Sequence, residues 1–64
     1  MTETFASDRM LRRHEVEHQT GFSRAHIYRL MAQDEFPRPY RLSARAVGWK
    51  QSEISNWLVS RNTA

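Results

Sequence analysis

Two histidines near the start of the chain have the spacing of a zinc-binding motif. Residues 14–18 read HEVEH, and in the pattern H-E-x-x-H both histidines lie on one helical face and bind Zn²⁺, while the glutamate activates a metal-bound water. The longer protease pattern requires a third histidine where this chain has Arg24. Because an arginine cannot ligate a cation, the motif is incomplete.

The length of the chain also argues against a metalloprotease. It has 64 residues and no cysteine, and a domain of this size buries only about 60% of the surface that its unfolded chain exposes. That leaves little room for a substrate cleft or for the outer shell of a catalytic metal. We therefore interpret His14 and His18 as exposed polar side chains, with weak adventitious metal binding as the alternative. We expect no enzymatic activity, no cofactor and no small-molecule substrate.

Positive charge is concentrated in the middle of the chain. Nine of the ten basic residues are arginine, and the formal net charge is +3. Between Arg9 and Lys50 nine basic residues face four acidic ones, and residues 36–50 hold four basic residues and no acid. Arginine has a planar, forked set of donors that fits phosphates and guanine edges. A GC-rich genome would also enrich arginine, but the clustering predicts a polyanionic partner.

A short helix is predicted over residues 13–20, and Gly21 ends it, because glycine readily adopts the left-handed conformation that follows many helices. A second helix is predicted from about residue 24 to residue 34, with Ser23 as its N-cap. The i, i+3, i+4 spacing of a buried face is followed by Ile27, Leu30 and Met31.

The two helices are joined by three residues that include a glycine. This spacing is typical of a helix-turn-helix, whose second helix presents arginine, histidine and tyrosine side chains to the major groove. An ordinary helical hairpin with a solvated polar face remains the alternative. In that case Arg24 and Arg29 would form salt bridges with neighbouring acids, and Tyr28 would be a partly buried ring.

Two short alternating segments, residues 40–42 and 46–49, predict a β-hairpin after the rigid connector FPRP at 36–39. Arg41 would point outward and Arg45 would lie at the tip, which gives a basic wing. The side chains expected to point inward are Tyr40, Leu42, Val47 and Trp49. A third helix, residues 51–61, would cover the core.

These elements predict a mostly α fold with a small β-hairpin: a winged helix-turn-helix of three short helices and a two-stranded wing. We expect the domain to span residues 8–61, between flexible residues 1–7 and 62–64. No signal peptide or membrane span is visible, so a cytoplasmic, nucleoid-associated protein is expected. The predicted core consists of Leu11, Val16, Phe22, Ile27, Leu30, Met31, Val47, Trp49, Ile54, Trp57 and Leu58.

The order of these motifs resembles the AlpA family of small phage-type transcriptional regulators. The likeness covers about residues 9–60, nearly the whole chain. It is carried by TGFSR at 20–24, IYRLM at 27–31, FPRP, RAVGW at 45–49, SEI at 52–54 and WL at 57–58. The resemblance implies a winged helix-turn-helix related to the excisionase and MerR DNA-binding domains, with a role in prophage or integrative-element biology.

Residue by residue, the resemblance implies two groups of DNA contacts. The second helix would enter the major groove with Ser23, Arg24, Ala25, His26, Tyr28 and Arg29. The wing and its flanks would reach a minor groove or the backbone with Arg38, Arg41, Arg45 and Lys50. One departure from the family pattern is Asp34, where a helix-ending glycine is common; aspartate tolerates the left-handed conformation.

The sequence leaves three functions open. The first is a sequence-specific regulator that binds double-stranded DNA. The second is an excisionase-like recombination directionality factor that bends attachment-site DNA and recruits an integrase. The third is a non-catalytic adaptor whose basic face binds an acidic protein. Further copies of the chain are expected partners in the DNA-binding functions, because one module has a small footprint.

Overall fold

The computed structural model describes residues 8–61, and the predicted tails at 1–7 and 62–64 lie outside these residues. The predicted fold class is confirmed, since three short helices accompany a small antiparallel β-hairpin. No helix in the described part is long and apolar enough to cross a membrane. The elements in chain order are β1 (Met10–Leu11), α1 (Arg13–Thr20), α2 (Arg24–Ala32), β2 (Tyr40–Ser43), β3 (Ala46–Lys50) and α3 (Gln51–Val59).

Helix α1 is held at both ends by local hydrogen bonds. At its start, the Arg12 backbone N–H donates to Glu15 Oε1 at 2.8 Å. At its end, Gly21 has a φ of 79° and donates its N–H to the Glu17 carbonyl at 2.8 Å. The left-handed conformation is available to glycine without steric cost. The sequence therefore correctly predicts both the helix and the residue that ends it.

Helix α2 begins and ends as its flanking residues dictate. The Ser23 hydroxyl accepts a hydrogen bond from the His26 N–H at 3.2 Å, as an N-cap does. The helix ends at Ala32, two residues earlier than predicted, and Asp34 follows with a φ of 59°. The aspartate thus adopts the left-handed conformation that the family pattern usually assigns to glycine.

The β-sheet has one strand more than predicted. Its order is β1-β3-β2, with both pairs antiparallel, and Leu11 of β1 stands opposite Trp49 of β3. The segment before β1 is hydrogen-bonded to the start of α3. There the Gln51 N–H donates to the Arg9 carbonyl at 2.9 Å, and the Ser52 N–H donates to Asp8 Oδ1 at 3.2 Å. The N-terminal segment therefore joins the wing to α3.

The register of the β2–β3 hairpin differs from the sequence prediction. Arg41 stands opposite Val47, and Tyr40 stands opposite Gly48. Directly opposed residues of an antiparallel pair share one face of the sheet, and alternate residues of β3 do so as well. Val47 and Trp49 therefore lie on the face of Arg41, whereas Tyr40 lies on the other face.

The prediction that Tyr40 and Leu42 point into the core is therefore wrong, and Val47, although it shares the face of the buried Trp49, is not a core residue. Their side chains are 41%, 43% and 36% exposed, and β2 is exposed along its whole length. An irregularity between residues 41 and 43 breaks the alternation of β2. Leu42 lies over Gly48, where a Cβ would be only 2.8 Å from Leu42 Cδ1. Strand β2 is therefore exposed to solvent rather than buried against the helices.

The core lies where the sheet meets the three helices. Its buried residues are Leu11, Val16, Ile27, Phe36, Trp49 and Ile54. Partly buried side chains pack against them, namely Phe22, Leu30, Met31, Trp57 and Leu58. Phe36 was not among the predicted core residues. Its ring lies edge-on to Trp57, with the ring centroids 4.7 Å apart.

Both tryptophan indoles fix the connector between α2 and β2. Trp49 Nε1 donates to the Pro37 carbonyl at 2.9 Å, and Trp57 Nε1 donates to the Glu35 carbonyl at 3.0 Å. A buried indole N–H needs an acceptor, and here the acceptors belong to the segment that carries Phe36. The connector is therefore packed in place as part of the core.

Substitution of Phe36 tests the role of this connector. Phe36→Ala should lower the free energy of unfolding by about 3–5 kcal/mol, because it removes a buried ring and leaves a cavity. Val59→Ala is the control, since Val59 is 84% exposed, and it should change stability by no more than about 0.5 kcal/mol. Urea denaturation followed by circular dichroism measures both, and equal midpoints for the two variants would contradict the packing.

Two carboxylates at helix starts should make stability depend on acid pH. The hydrogen bond from the Ser52 N–H lowers the pKa of Asp8, and the hydrogen bond from the Arg12 N–H lowers the pKa of Glu15. Because both pKa values are lower in the folded chain, the unfolded chain binds protons first as the pH falls. The stabilisation should be complete above about pH 5 and should be lost as the pH falls below about 4.

Thermal melts between pH 3 and pH 7 measure this dependence, because this interval includes the pKa of a free carboxyl group, which is about 4. The double variant Asp8→Asn, Glu15→Gln should show a flatter profile than the wild type. A wild-type melting temperature that stays constant down to the acid end would contradict the role of these two carboxylates.

Candidate nucleic-acid interface

Helix α2 divides its side chains between the core and solvent. Ile27 is fully buried, and Leu30 and Met31 pack against the core. The opposite side of the helix is exposed, which is the division that groove insertion requires. Its exposed side chains include Arg24, Ala25, Tyr28 and Arg29.

Four acids are potential salt-bridge partners for α2, and three of them have other partners, whereas Glu35 forms no ion pair within residues 8–61. Glu15 Oε2 lies 2.9 Å from Arg9, Glu17 lies 3.6 Å from Arg13, and Asp34 lies 2.8 Å from Arg38. Within residues 8–61, neither arginine of α2 forms an ion pair. The structure therefore favours a free basic face over the alternative of internal salt bridges.

Tyr28 lies in the middle of this basic face. Its side chain is 41% exposed, and its ring centroid is 5.8 Å from Arg24 Cζ, within the range of a cation–π contact. Its hydroxyl has no hydrogen-bond partner in the described part of the chain. The side chain is therefore partly covered, but it is not among those that pack against the core.

The residues at the start of α2 mainly hold the helix in place. The Ser23 hydroxyl caps the helix, and the ring of half-buried His26 lies on Phe22 with the centroids 4.1 Å apart. Phe22 in turn packs edge-on against Trp57 at 5.9 Å. These contacts fix the position of α2 relative to α3 and so determine where its basic face points.

The basic residues assigned to the wing fall on two sides of the sheet. Arg41 shares a face with Val47, and Arg45 lies in the turn next to it. Lys50 lies elsewhere, with its Nζ 4.9 Å from the Tyr40 ring centroid. The remaining residue of the group, Arg38, is paired with Asp34. The structure therefore brings Arg41 and Arg45 together and separates them from Lys50.

The environment of Tyr40 explains how Lys50 is held. The Tyr40 hydroxyl donates to Glu53 Oε2 at 2.7 Å. This hydrogen bond, together with desolvation and the negative charge of Glu53, raises the pKa of Tyr40. The ammonium of Lys50, the tyrosine ring and the Glu53 carboxylate thus form a small cluster where the wing meets the start of α3.

A surface cleft of about 330 Å³ lies between the start of α1, α2 and the wing. It is lined by Arg12, Arg13, His14, Tyr28, Arg45 and Val47. Tyr28 and Arg45 were predicted DNA contacts, whereas the three basic residues from the start of α1 were not. A signal for them was present in the sequence, because three consecutive basic residues occupy a helix start, where acidic and hydroxyl side chains are favoured.

Comparison with known proteins supports a regulatory role. Residues 9–62 match the family described as prophage CP4-57 regulatory protein (AlpA). The chain belongs to the AlpA family. The match includes α1, α2, the wing and α3, and the family description is that of a regulator rather than an enzyme.

A curated relative of this AlpA-family chain comes from Enterobacteria phage P4, where it is described as uncharacterized protein ORF88. The two sequences are 41% identical over 54 residues, which is 84% of this chain. The aligned region spans 61% of the phage protein. The relative is a phage protein, and this chain spans less than two thirds of its length.

The HEVEH segment lies beside an open pocket on α1. His14, Glu15, His18 and Gln19 line an open pocket of about 380 Å³. Both Glu15 oxygens are engaged, one by the Arg12 N–H and one by Arg9. Among residues 8–61, no group of three His, Cys, Asp or Glu side chains is placed to hold a metal ion.

We expect the AlpA-family chain to hold no stoichiometric zinc. Protein purified without a histidine tag, dialysed and analysed by atomic emission should contain well under one zinc per chain, because two histidines alone leave a tetrahedral ion incompletely ligated. One zinc per chain that is retained through dialysis and lost in His18→Gln would contradict this prediction.

Proposed function

We propose that the chain is a sequence-specific regulator that binds double-stranded DNA through a winged helix-turn-helix. In this function α2 enters the major groove, and the wing contacts the flanking minor groove or backbone. The observation that carries the proposal is the exposed basic face of α2, whose arginines have no acidic partner within residues 8–61. The AlpA family match over residues 9–62 supports it independently.

The proposed base contacts come from the middle of α2. Arg24 and Arg29 are five positions apart, which separates them by about 140° around the helix at 3.6 residues per turn. They cannot therefore reach the same base. One can read a guanine edge while the other holds a phosphate. Ala25 and Tyr28 lie on the same exposed side, and Ser23 and His26 support the first turn of the helix.

The proposed wing contacts come mainly from Arg41 and Arg45, which lie together near the hairpin turn. Arg38 pairs with the Asp34 carboxylate and Lys50 lies over the Tyr40 ring, whereas Arg41 donates a 3.3 Å hydrogen bond to the Ala44 carbonyl of the turn. We propose that Arg38 and Lys50 add positive charge near the phosphates rather than base contacts. Phosphate contacts fix the register of a protein on the duplex, whereas base contacts provide sequence specificity.

Regulation of a prophage or integrative element is the biological role we propose, because the family is described as a prophage regulatory protein. A module of this size has a small footprint on DNA. Two or more copies bound to repeated sites would raise the affinity through effective concentration. An integrase would be a partner in the excision function, and no contact within residues 8–61 specifically favours that function.

Two arginine substitutions test the division between base and phosphate contacts. Arg24→Ala should weaken binding to a duplex selected from a random library by about 1–3 kcal/mol and relax the base preference. Arg45→Ala should weaken binding to selected and scrambled duplexes by similar factors, since a phosphate contact carries no sequence information. Fluorescence anisotropy at fixed salt measures all four affinities.

Arg61→Ala is the matched control, because Arg61 lies over the Trp57 ring, 4.4 Å from its centroid, and belongs to neither α2 nor the wing. It removes one positive charge, as the other two substitutions do. If Arg24→Ala and Arg45→Ala bound the selected duplex as tightly as the control, the proposed interface would be wrong.

A further inference from the structure

The cleft between α1, α2 and the wing has an unusual lining. Four of its six side chains are basic and come from two separate parts of the chain: Arg12, Arg13 and His14 at the start of α1, and Arg45 at the wing turn. Tyr28 of α2 adds a hydroxyl, and no acid lines the cleft. A concave surface lined by one sign of charge concentrates counter-ions of the opposite sign.

These basic groups are largely without internal partners. Arg13 lies 3.6 Å from Glu17. Within residues 8–61, the side chains of Arg12, His14 and Arg45 form no hydrogen bond or ion pair. The two guanidinium groups and the imidazole are therefore available to a ligand that enters the cleft.

Basic residues at the start of α1 do not stabilise this helix. Arg12 is the N-cap and forms no side-chain capping bond, because a guanidinium has no acceptor atom. Serine, threonine, aspartate and asparagine are the residues that stabilise this position. Positive side chains at the start of a helix also oppose its dipole. Such a departure from local preference is typical of a functional position.

We propose that this cleft holds one phosphodiester of the DNA backbone beside the stretch of groove that α2 enters. The inference rests on the proposed DNA-binding function and adds a specific anchoring site to it. Arginine donors and a tyrosine hydroxyl suit the unesterified oxygens of a phosphodiester. Because Tyr28 belongs both to the cleft and to the exposed face of α2, the anchored phosphate lies next to the base contacts.

The substitution Arg12→Ser separates binding from folding. It completes the S-x-x-E capping box with Glu15, so it should raise Tm by about 4–8 °C for a domain of this size. It should also weaken binding to the selected duplex and to a scrambled duplex about tenfold each, and lower the slope of log K against log salt by about 1. Arg61→Ser is the charge-matched control, and its salt slope should lie closer to the wild-type slope than that of Arg12→Ser does.

The second measurement uses duplexes in which single phosphates are replaced by neutral methylphosphonates. At one position the replacement should weaken wild-type binding about tenfold. Binding of Arg12→Ser and Arg45→Ala should be nearly unaffected there, because each variant already lacks an arginine that would contact this phosphate. The probe is the duplex selected with the wild-type protein, so that variants and wild type are compared on the same site.

The outcomes separate the two proposals. If the wild type bound no duplex at about 50 mM salt, the DNA-binding function would fail, and the anchoring site with it. If the wild type bound a selected duplex and Arg12→Ser bound it equally well, only the anchoring site would be overturned. The same conclusion would follow if every methylphosphonate affected wild type and variants alike.

Discussion

Burial of Trp49 is the constraint on which the rest of the structure depends. It is the largest fully buried side chain, and it lies on the central strand β3. With no cysteine in the chain, the domain has to derive its stability from such apolar burial. The indole N–H must also find an acceptor, and it reaches the Pro37 carbonyl. One side chain thus fixes the connector, the wing and, through the strand pair with Leu11, the N-terminal segment.

The distribution of charge follows from this packing. With the connector and wing held in place, Asp34 is paired with Arg38. The two glutamates of α1 are likewise paired with Arg9 and Arg13. Acids and some of the arginines therefore neutralise one another away from the outer face of α2. A formal net charge of +3 becomes a localised basic surface because specific neighbours neutralise part of the charge elsewhere.

Features set by neighbouring residues could be predicted from the sequence. The Ser23 cap, the Gly21 terminus and the buried face of α2 depend on residues within one or two helical turns. The hairpin register could not be predicted in this way, because the irregularity near Leu42 and the packing over Gly48 depend on contacts across strands. Phe36 was missed because it stands alone between polar and proline residues, with no periodic pattern around it. The cleft was missed because it brings Arg12 and Arg45 together from distant parts of the chain.

The hydrogen bonds of the N-terminal segment also determine when the protein can fold. Asp8 and Arg9 find their partners at Ser52 and Gln51, and β1 pairs with the far end of β3. During synthesis, these partners leave the ribosome only after most of the domain has been made. The two helices of the helix-turn-helix can form earlier, but the core cannot close around Trp49 until α3 has emerged. Folding should therefore follow translation of the whole domain rather than proceed from its N-terminus.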